Sequence, residues 1–195
     1  MVGKTLAQRY VEAIEAGNVG LRVRLETELD DETNRENARL DAPGALRGAA
    51  LFYASRGVAV FPCVAGGKQP ATAKGFKDAT TDRDQIGAWW LYQPNANIGA
   101  PTGITFDVID IDGPEGLGSV YSPEKPLKLP AEIGHSLTTR MAGHHIFIEP
   151  TGRGNRASFL PGVDYRGAGG YVILPPSRGA NGRRYAWTKP LEVLR

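Results

Sequence analysis

The stretch FDVIDIDG, residues 106–113, combines an apolar run with two acids one residue apart. Four of its first six residues are apolar, which is typical of an inner strand of a covered sheet. Asp110 and Asp112 close this run, and a carboxylate that is buried there without a partner is strongly destabilising. The sequence therefore predicts a central strand whose two terminal acids need a compensating group.

Alternation along the strand predicts where the acids point. Residues i and i+2 face the same way, so Asp110 and Asp112 are expected about 6.5–7 Å apart on one face, with Asp107 on the other. Two carboxylates on one face repel each other and favour Mg²⁺, which accepts one or two protein carboxylates and leaves positions for phosphate oxygens. The alternative is an exposed strand end without a ligand, before a turn at Gly113-Pro114.

A third acid lies in PGVDYRGAGGYVILPPS, residues 161–177. Asp164 and Arg166 share a strand face, and a glycine-rich turn follows at once. Glycines permit tight reversals and close backbone approach, so this segment can place Asp164 on a strand next to the first acids. The alternative is a hairpin with a surface Asp–Arg pair, which contributes little to stability.

Two histidines stand at the start of another strand, in RMAGHHIFIEP, residues 140–150. Adjacent strand residues point to opposite faces, so at most one of His144 and His145 contacts a given site. The other interpretation of either histidine is an ordinary core or surface group.

Lys68 lies in the loop GGKQP, residues 66–70. The loop is not a P-loop, because the first glycine of that motif is missing and Gln69 follows the lysine. Lys68 is therefore either a solvated cation or one directed at a phosphate.

Composition indicates an ordinary globular protein, with 195 residues of which 41% are hydrophobic and 23% charged. The single cysteine, Cys63, excludes an internal disulfide and a Cys-rich zinc site, and VAVFPCV predicts that it is a buried apolar residue. The first residues contain no apolar run long enough for a signal peptide or a membrane span. We expect a cytoplasmic protein without membrane contacts.

Positive charge is concentrated at the end of the chain. The net charge is only +2, but residues 151–195 contain eight arginines and lysines against two acids. A local charge of about +6 favours a polyanionic partner such as nucleic acid. Candidate contacts are Arg178, Arg183 and Arg184.

The order of segments predicts a mixed α and β protein. Residues 1–42 show helical spacing of apolar residues, and the composition changes near Asp41, so we expect a helical N-terminal segment (1–42) and a main domain (43–195). A helix is expected from Thr81, with Thr81 and Asp84 as a capping box. Predicted helical and strand segments of the main domain, in order, are LRGAALFYASRG, VAVFPCV, NIGAPTG, FDVIDID, HHIFIEP and GYVILPP.

Taken in this order, the segments resemble the N-terminal domain of bifunctional DNA primase/polymerases, the prim-pol branch of the archaeo-eukaryotic primase superfamily. The resemblance covers about residues 45–190 in five blocks: ALFYASRGVAVFPCVAGGKQPATAKGFKDAT, NANIGAPTG, FDVIDIDG, AGHHIFI and GVDYRGAGGYVILPPS. It implies an α+β fold, the archaeo-eukaryotic primase catalytic core, with a mainly antiparallel sheet like that of RNA-recognition motifs.

The resemblance also implies roles for individual residues. The catalytic, metal-binding acids would be Asp110, Asp112 and Asp164, which would bind two Mg²⁺ or Mn²⁺ ions. His145 matches the family's histidine, which contacts nucleotide phosphates. Arg166 and Lys68 are expected to bind the nucleotide with it. Where the family usually has Ser-Gly-Gly before the histidine, this chain has residues 141–143 as Met-Ala-Gly, which lack the hydroxyl.

The implied activity is template-directed primer synthesis and extension, as a DNA primase and DNA polymerase in replication. The expected partners are a single-stranded DNA template, NTP or dNTP, and a helicase domain or partner outside this chain, which ends at Leu194-Arg195. Such proteins are common in phages and plasmids. The zinc-binding stem of some relatives cannot be built from one cysteine, so no zinc is expected.

Three other functions remain open at this point. A metal-dependent nuclease can use the same acids to deliver water in place of a 3′-hydroxyl. A nucleotide-sugar transferase would account for the two acids of the strand but not for the other blocks. The third alternative is a non-catalytic module of the same fold that binds single-stranded nucleic acid.

Overall fold

The computed structural model describes residues 39–122 and 127–194, together with the helical positions Arg9, Gly20, Leu21, Arg24 and Glu28. The chain forms two compact units, Met1–Ala45 and Leu46–Arg195. Most of the predicted helical segment 1–42 lies outside the described residues. The candidate site is contained in the second unit.

From residue 41 onwards, the described residues form three α-helices, nine strands and two short 3₁₀ turns. The helices are α1 (Ala45–Ser55), α2 (Arg83–Tyr92) and α3 (Gly113–Val120). The 3₁₀ turns are Gly75–Asp78 and Glu192–Leu194. The strands are β1 (Phe61–Cys63), β2 (Asn97–Pro101), β3 (Asp107–Ile111), β4 (Glu132–Leu137), β5 (His144–Ile148), β6 (Arg156–Leu160), β7 (Val163–Arg166), β8 (Tyr171–Leu174) and β9 (Ala186–Lys189).

The strands form two antiparallel sheets. A three-stranded sheet has the order β1-β2-β8, and a six-stranded sheet has the order β6-β7-β3-β5-β4-β9. All pairings between these strands are antiparallel. The predicted mixed α and β architecture with mainly antiparallel sheets is confirmed at this level.

Strand β3 lies inside the six-stranded sheet and is covered on both faces. On one face, Val108 and Phe147 belong to the hydrophobic core that includes residues of α1 and α2. On the other face, Ile109 and Ile111 pack in a second core with Val120 of α3. This double burial explains why three of the five residues of β3 are apolar, as an inner strand requires.

The starts of two helices differ from the sequence prediction. The predicted capping box of Thr81 and Asp84 is wrong, because Asp82 caps α2 and accepts hydrogen bonds from the backbone N–H groups of Asp84 and Gln85 at 2.8 and 3.1 Å. The predicted turn at Gly113-Pro114 is instead the first turn of α3. Proline suits that position, because the first backbone N–H groups of a helix have no partner within the helix.

Cys63 is fully buried, as predicted, in a small core with Phe61 and Ile173. Burial raises the pKa of its thiol to about 12, so it behaves as an apolar group. Among the helices in the described part of the chain, none combines the length and apolar composition that crossing a membrane requires.

Candidate active site

The register of three neighbouring strands aligns three of the predicted site residues. Asp110 of β3 lies directly opposite Asp164 of β7 on one side and His145 of β5 on the other. Directly opposed residues of antiparallel strands project from the same face, so these side chains form a row across the sheet. Asp164 does lie on the strand next to Asp110, but the glycine-rich segment after β7 leads to β8 of the three-stranded sheet and does not produce this pairing.

Arg166 links the two acids of this row. Its Nη2 donates to Asp164 Oδ2 at 2.6 Å and to Asp110 Oδ2 at 3.2 Å, and its Nε lies 3.3 Å from the same Asp110 oxygen. The second Asp164 oxygen accepts a hydrogen bond from the backbone N–H of Ser158 at 2.7 Å. The two carboxylates therefore converge on one guanidinium group.

His145 contacts Asp110 from the opposite side. Its Nε2 lies 3.4 Å from Asp110 Oδ1, and both side chains are almost fully buried. Its Nδ1 is buried and has no hydrogen-bond partner among the described residues. The ring is thus oriented by its contact with Asp110.

These neighbours determine the charge state of Asp110, which is only 5% exposed. Burial alone would raise its pKa, but the charge and hydrogen bond of His145 and the charges of Arg166 and Lys68 outweigh burial and hold the pKa well below its usual range. Asp110 is therefore ionised at neutral pH. Cationic side chains compensate the buried carboxylate that the sequence left without a partner.

Asp112 stands apart from this row. Strand β3 ends at Ile111, and Asp112 occupies the cap position of α3, where its Oδ1 lies 3.5 Å from Nη1 of Arg140. Burial raises the pKa of Tyr185 to about 12, a hydrogen bond with Thr139 opposes that shift, and the charges of both Asp110 and Asp112 add to it.

The row opens into a cavity of about 190 Å³, called the acid pocket here. Its walls include Asp110, His145, Arg166 and Lys68, so the structure brings these four predicted residues together. The sequence interpretation missed the other wall residues that carry polar side chains: Asn155, Tyr171 and Tyr185. Of the remaining wall residues, the sequence indicated only Gly169 and Gly170, because glycines at these positions allow another group to approach the backbone closely.

The predicted nucleic-acid contacts lie outside the acid pocket. Arg178 lines a neighbouring cleft, and Arg183 is exposed on the loop before β9. Arg184 is half-buried and its Nη1 donates to the Pro176 carbonyl oxygen at 3.0 Å. The structure therefore places Arg183 alone of the three on the open surface.

The carboxylate pair decides which metal the site could hold. Within residues 39–122 and 127–194, no three His, Cys, Asp or Glu side chains are grouped as a metal site. Asp110 and Asp164, however, share one cationic nitrogen, and two converging carboxylates fit a hard divalent ion whose other ligands are water and phosphate oxygens. Asp112, which pairs with Arg140, lies at the margin of that set.

The opposite face of the sheet carries a different polar group. Asp107 is fully buried there, and its Oδ2 accepts from Thr151 N–H at 2.8 Å, Thr151 Oγ1 at 2.9 Å and Tyr165 OH at 2.5 Å. His144 lies on this face as well, with its Nδ1 at 3.0 Å from His135 Nε2. Asp107 and His144 thus point away from the acid pocket, as strand alternation predicts.

Comparison with protein families gives one match. The family model described as bifunctional DNA primase/polymerase, N-terminal, covers residues 50–194, a span that includes every residue of the acid pocket. Comparison with the curated proteins gives no match.

Proposed function

The chain belongs to the bifunctional DNA primase/polymerase family, and we propose that it is a nucleotidyltransferase that synthesises and extends primers on single-stranded DNA. The observation that carries this proposal is the row of Asp164, Asp110 and His145, of which Asp110 and His145 line one pocket together with Arg166 and Lys68. Paired carboxylates beside several cations are the combination that phosphoryl transfer to a hydroxyl requires.

The six-stranded sheet would then be the catalytic core of the archaeo-eukaryotic primase type. Two features support this assignment: the match over residues 50–194 and the antiparallel order β6-β7-β3-β5-β4-β9. The inner strands β7, β3 and β5 supply the row of site residues, so each side chain is positioned by hydrogen-bonded neighbours on both sides.

Asp110 and Asp164 are the proposed main ligands of Mg²⁺ or Mn²⁺, with Asp112 as the third acid at the margin. When bound, two such ions supply Lewis-acid stabilisation of the phosphates and of the attacking 3′-hydroxyl. The lowered pKa of Asp110 supports a ligand role, because a carboxylate that stays ionised at neutral pH is a poor proton donor.

The cations of the pocket are proposed to bind the nucleotide. Arg166 can direct its guanidinium at phosphate oxygens, since its donors already span two carboxylates. His145 is fixed through its contact with Asp110 and lines the same cavity. Lys68 comes from the loop after β1 and adds a further positive charge, which favours the negative charge that develops on the phosphates.

The basic end of the chain is the proposed contact for the template. Arg178, Arg183 and Arg184 lie beyond the acid pocket, and their charges would attract the phosphate backbone of single-stranded DNA. Membership of the family also supports a replicative setting, in which a helicase domain or partner would supply the single-stranded template.

Primer synthesis on single-stranded DNA tests this proposal. The protein is incubated with template, with NTPs or dNTPs, and with Mg²⁺ or Mn²⁺, each combination separately, and both pyrophosphate and labelled product are measured. We expect both to appear only with template and a divalent cation, and EDTA should abolish them. Template degradation without synthesis would indicate a nuclease, and binding without either reaction would indicate a non-catalytic module.

A further inference from the structure

A second cleft adjoins the acid pocket. It has a volume of about 310 Å³ and lies between the loop after β1 and the loop after β8. Lys68 and Tyr185 line both cavities, so the two share a wall. Arg178, Thr139 and Asn181 supply further polar groups, and none of the described residues that line the cleft is acidic. Its chemistry is therefore that of an anion site.

Asn97 holds the two loops of this cleft together. It is the first residue of β2, is only 1% exposed, and precedes four buried residues without polar side chains. Its Nδ2 donates to the Gly67 carbonyl oxygen at 2.8 Å and to the Arg178 carbonyl oxygen at 2.7 Å, while its Oδ1 accepts from Arg178 N–H at 3.0 Å. Both donor hydrogens and the acceptor are thus used on the two loops that carry the cations.

The second loop is also fixed at its far end. Asn181 Nδ2 donates to the Thr139 carbonyl oxygen at 2.8 Å, in the hairpin that joins β4 to β5. Its Oδ1 accepts from the backbone N–H of Arg183 at 3.1 Å. The loop of Arg178 is therefore tied to β2 on one side and to the hairpin on the other, which limits the width of the cleft.

We propose that this cleft binds phosphate groups of a nucleoside triphosphate and that Asn97 is the positioning residue that sets the separation of Lys68 and Arg178. Lysine and arginine flanked by a hydroxyl, an amide and glycine backbone are suited to phosphate oxygens. The shared wall favours the ligand of the acid pocket over the template backbone, because a triphosphate there can extend past Lys68. The inference rests on the proposed function.

Asn97→Asp tests the proposal with a side chain of the same size. The carboxylate keeps the acceptor for Arg178 N–H but places negative oxygen against the carbonyl groups of Gly67 and Arg178. The matched control is Ser177→Ala: Ser177 is buried and its Oγ accepts from Ile98 N–H at 2.8 Å, so it joins the same loop to β2 without contacting the Lys68 loop. Tripolyphosphate binding is measured by calorimetry without template, alongside single-stranded DNA binding and thermal unfolding.

We expect Asn97→Asp to weaken tripolyphosphate binding about tenfold and to raise KM for the nucleotide by a similar factor. Affinity for single-stranded DNA should fall much less, since Asn97→Asp keeps the three arginines proposed to contact the template. Ser177→Ala should bind tripolyphosphate as the wild type does, even where its unfolding temperature falls. If Asn97→Asp does not fold, Lys68→Gln combined with Arg178→Gln is measured for tripolyphosphate binding and thermal unfolding alone, and tripolyphosphate binding should again weaken by at least about tenfold.

Three results would overturn the inference: no tripolyphosphate binding by the wild type, unchanged binding in the variant, or a selective loss of single-stranded DNA binding. The last result would assign the cleft to the template. Tripolyphosphate binding needs no catalysis, so the two proposals fail separately. A wild type that binds tripolyphosphate but makes no primers contradicts the proposed function, whereas primer synthesis with unchanged tripolyphosphate binding in Asn97→Asp contradicts this inference alone.

Discussion

Two aspartates of β3, three residues apart, are both buried and yet are held in different ways. Asp107 is fully buried among neutral donors, the backbone and hydroxyl of Thr151 and the hydroxyl of Tyr165. Asp110 is 5% exposed and lies between Arg166 and His145. The two carboxylates face opposite sides of one sheet.

The difference separates a structural acid from a functional one. Neutral donors fixed in the fold bind Oδ2 of Asp107 and tie β3 to β7 and to the segment after β5, while its buried Oδ1 has no hydrogen-bond partner among the described residues. The partners of Asp110 are long or ionisable side chains that line a cavity, and Arg166 is partly exposed. Such partners can shift towards phosphates when a divalent ion takes over the carboxylates, whereas those of Asp107 cannot.

Among the partners of Asp110, the largest effect is expected when the bridge on the pocket face is removed. Arg166→Gln deletes the cation shared by Asp110 and Asp164 and one group that would bind phosphate. Template-directed incorporation should fall about a hundredfold, with a larger increase in unfolding temperature on Mg²⁺ addition than in wild type, because the ion would replace the lost charge. Incorporation rates and thermal unfolding with and without Mg²⁺ check both parts.

Arg156→Gln is the matched control for that change. Arg156 is an exposed strand arginine on β6 that contacts the ring of Phe159, at 5.6 Å from its centroid. We expect near-normal incorporation and no special response to Mg²⁺. Equal losses in the two variants would mean that the bridge between Asp110 and Asp164 has no particular role.

The next largest effect is expected from substitution of the two adjacent histidines, His144 and His145. His145→Ala removes the pocket residue beside Asp110 and should reduce incorporation by roughly tenfold to a hundredfold, the range for losing a hydrogen bond to a charged group. His144→Ala should change stability more than catalysis, because its ring contacts His135 on the other face. Incorporation rate against nucleotide concentration separates them, and a folded but inactive His144→Ala beside a normal His145→Ala would reverse the assignment.

On the opposite face, Tyr165→Phe should lower the free energy of unfolding without slowing nucleotide incorporation. It removes one donor from the fully buried Asp107, which costs about 1–3 kcal/mol of unfolding free energy. Urea unfolding at pH 7 measures the loss, and incorporation per folded molecule should remain that of the wild type. A normal unfolding curve combined with slow incorporation would show that Tyr165 contributes to catalysis rather than to stability.

The smallest effect is a pH dependence from His135 and His144. Burial is the first cause that lowers the pKa of each, and the proximity of other histidines adds to it. The unfolded chain therefore takes up protons first as the pH falls through the ordinary value near 6.5. The free energy of unfolding consequently decreases from that pH down to the lowered folded pKa of the two histidines. We expect less than about 1 kcal/mol, since both rings are partly exposed.

Urea unfolding at pH 7.5 and 5.5 measures that contribution. The variant with both His135→Gln and His144→Gln should lose less stability on acidification than the wild type. An equal or larger loss of stability in the double variant would show that His135 and His144 do not cause the pH dependence. The pair Asp110 and His145 is unchanged in this variant, so its contribution cancels in the comparison.

Alternation along strands made much of the site predictable. It separated Asp107 from Asp110 and His144 from His145, because a strand offers only two directions. The resemblance to the family was needed to place His145, and not His144, on the side of Asp110. The position of Asp164 on the strand next to β3 agrees with the prediction, although the glycine-rich turn after Arg166 leads to the other sheet.

Long-range pairing was not predictable in the same way. The sequence assigned Arg166 to the nucleotide, but nothing in it indicated that one guanidinium would join two carboxylates across strands. Nor did the sequence indicate that Asp112 would be the cap residue of a helix, which begins at Gly113 with a positive φ of 73° that glycine adopts easily. Asn97 and Tyr185 reach the site from distant segments, and no local pattern distinguishes them.

Some strands also lacked a recognisable pattern. In β6, Arg156, Ala157 and Ser158 are exposed, so the strand does not show the alternation of a half-buried one. β4 carries Gly134 at a register shift against β5, which interrupts its periodicity. These edge and irregular strands are specified by their neighbours in the sheet rather than by their own residues.

The contrast between the two acids of β3 is tested most directly by Asp110→Asn and Asp107→Asn, compared for incorporation per folded molecule and for unfolding free energy. Asp110→Asn should reduce incorporation at least about a hundredfold while the protein stays folded at pH 7. Asp107→Asn should lower the unfolding free energy and leave the rate per folded molecule near wild type. Equal loss of incorporation in both variants, or a normal rate in Asp110→Asn, would contradict the assignment of the chemistry to the Asp110 face.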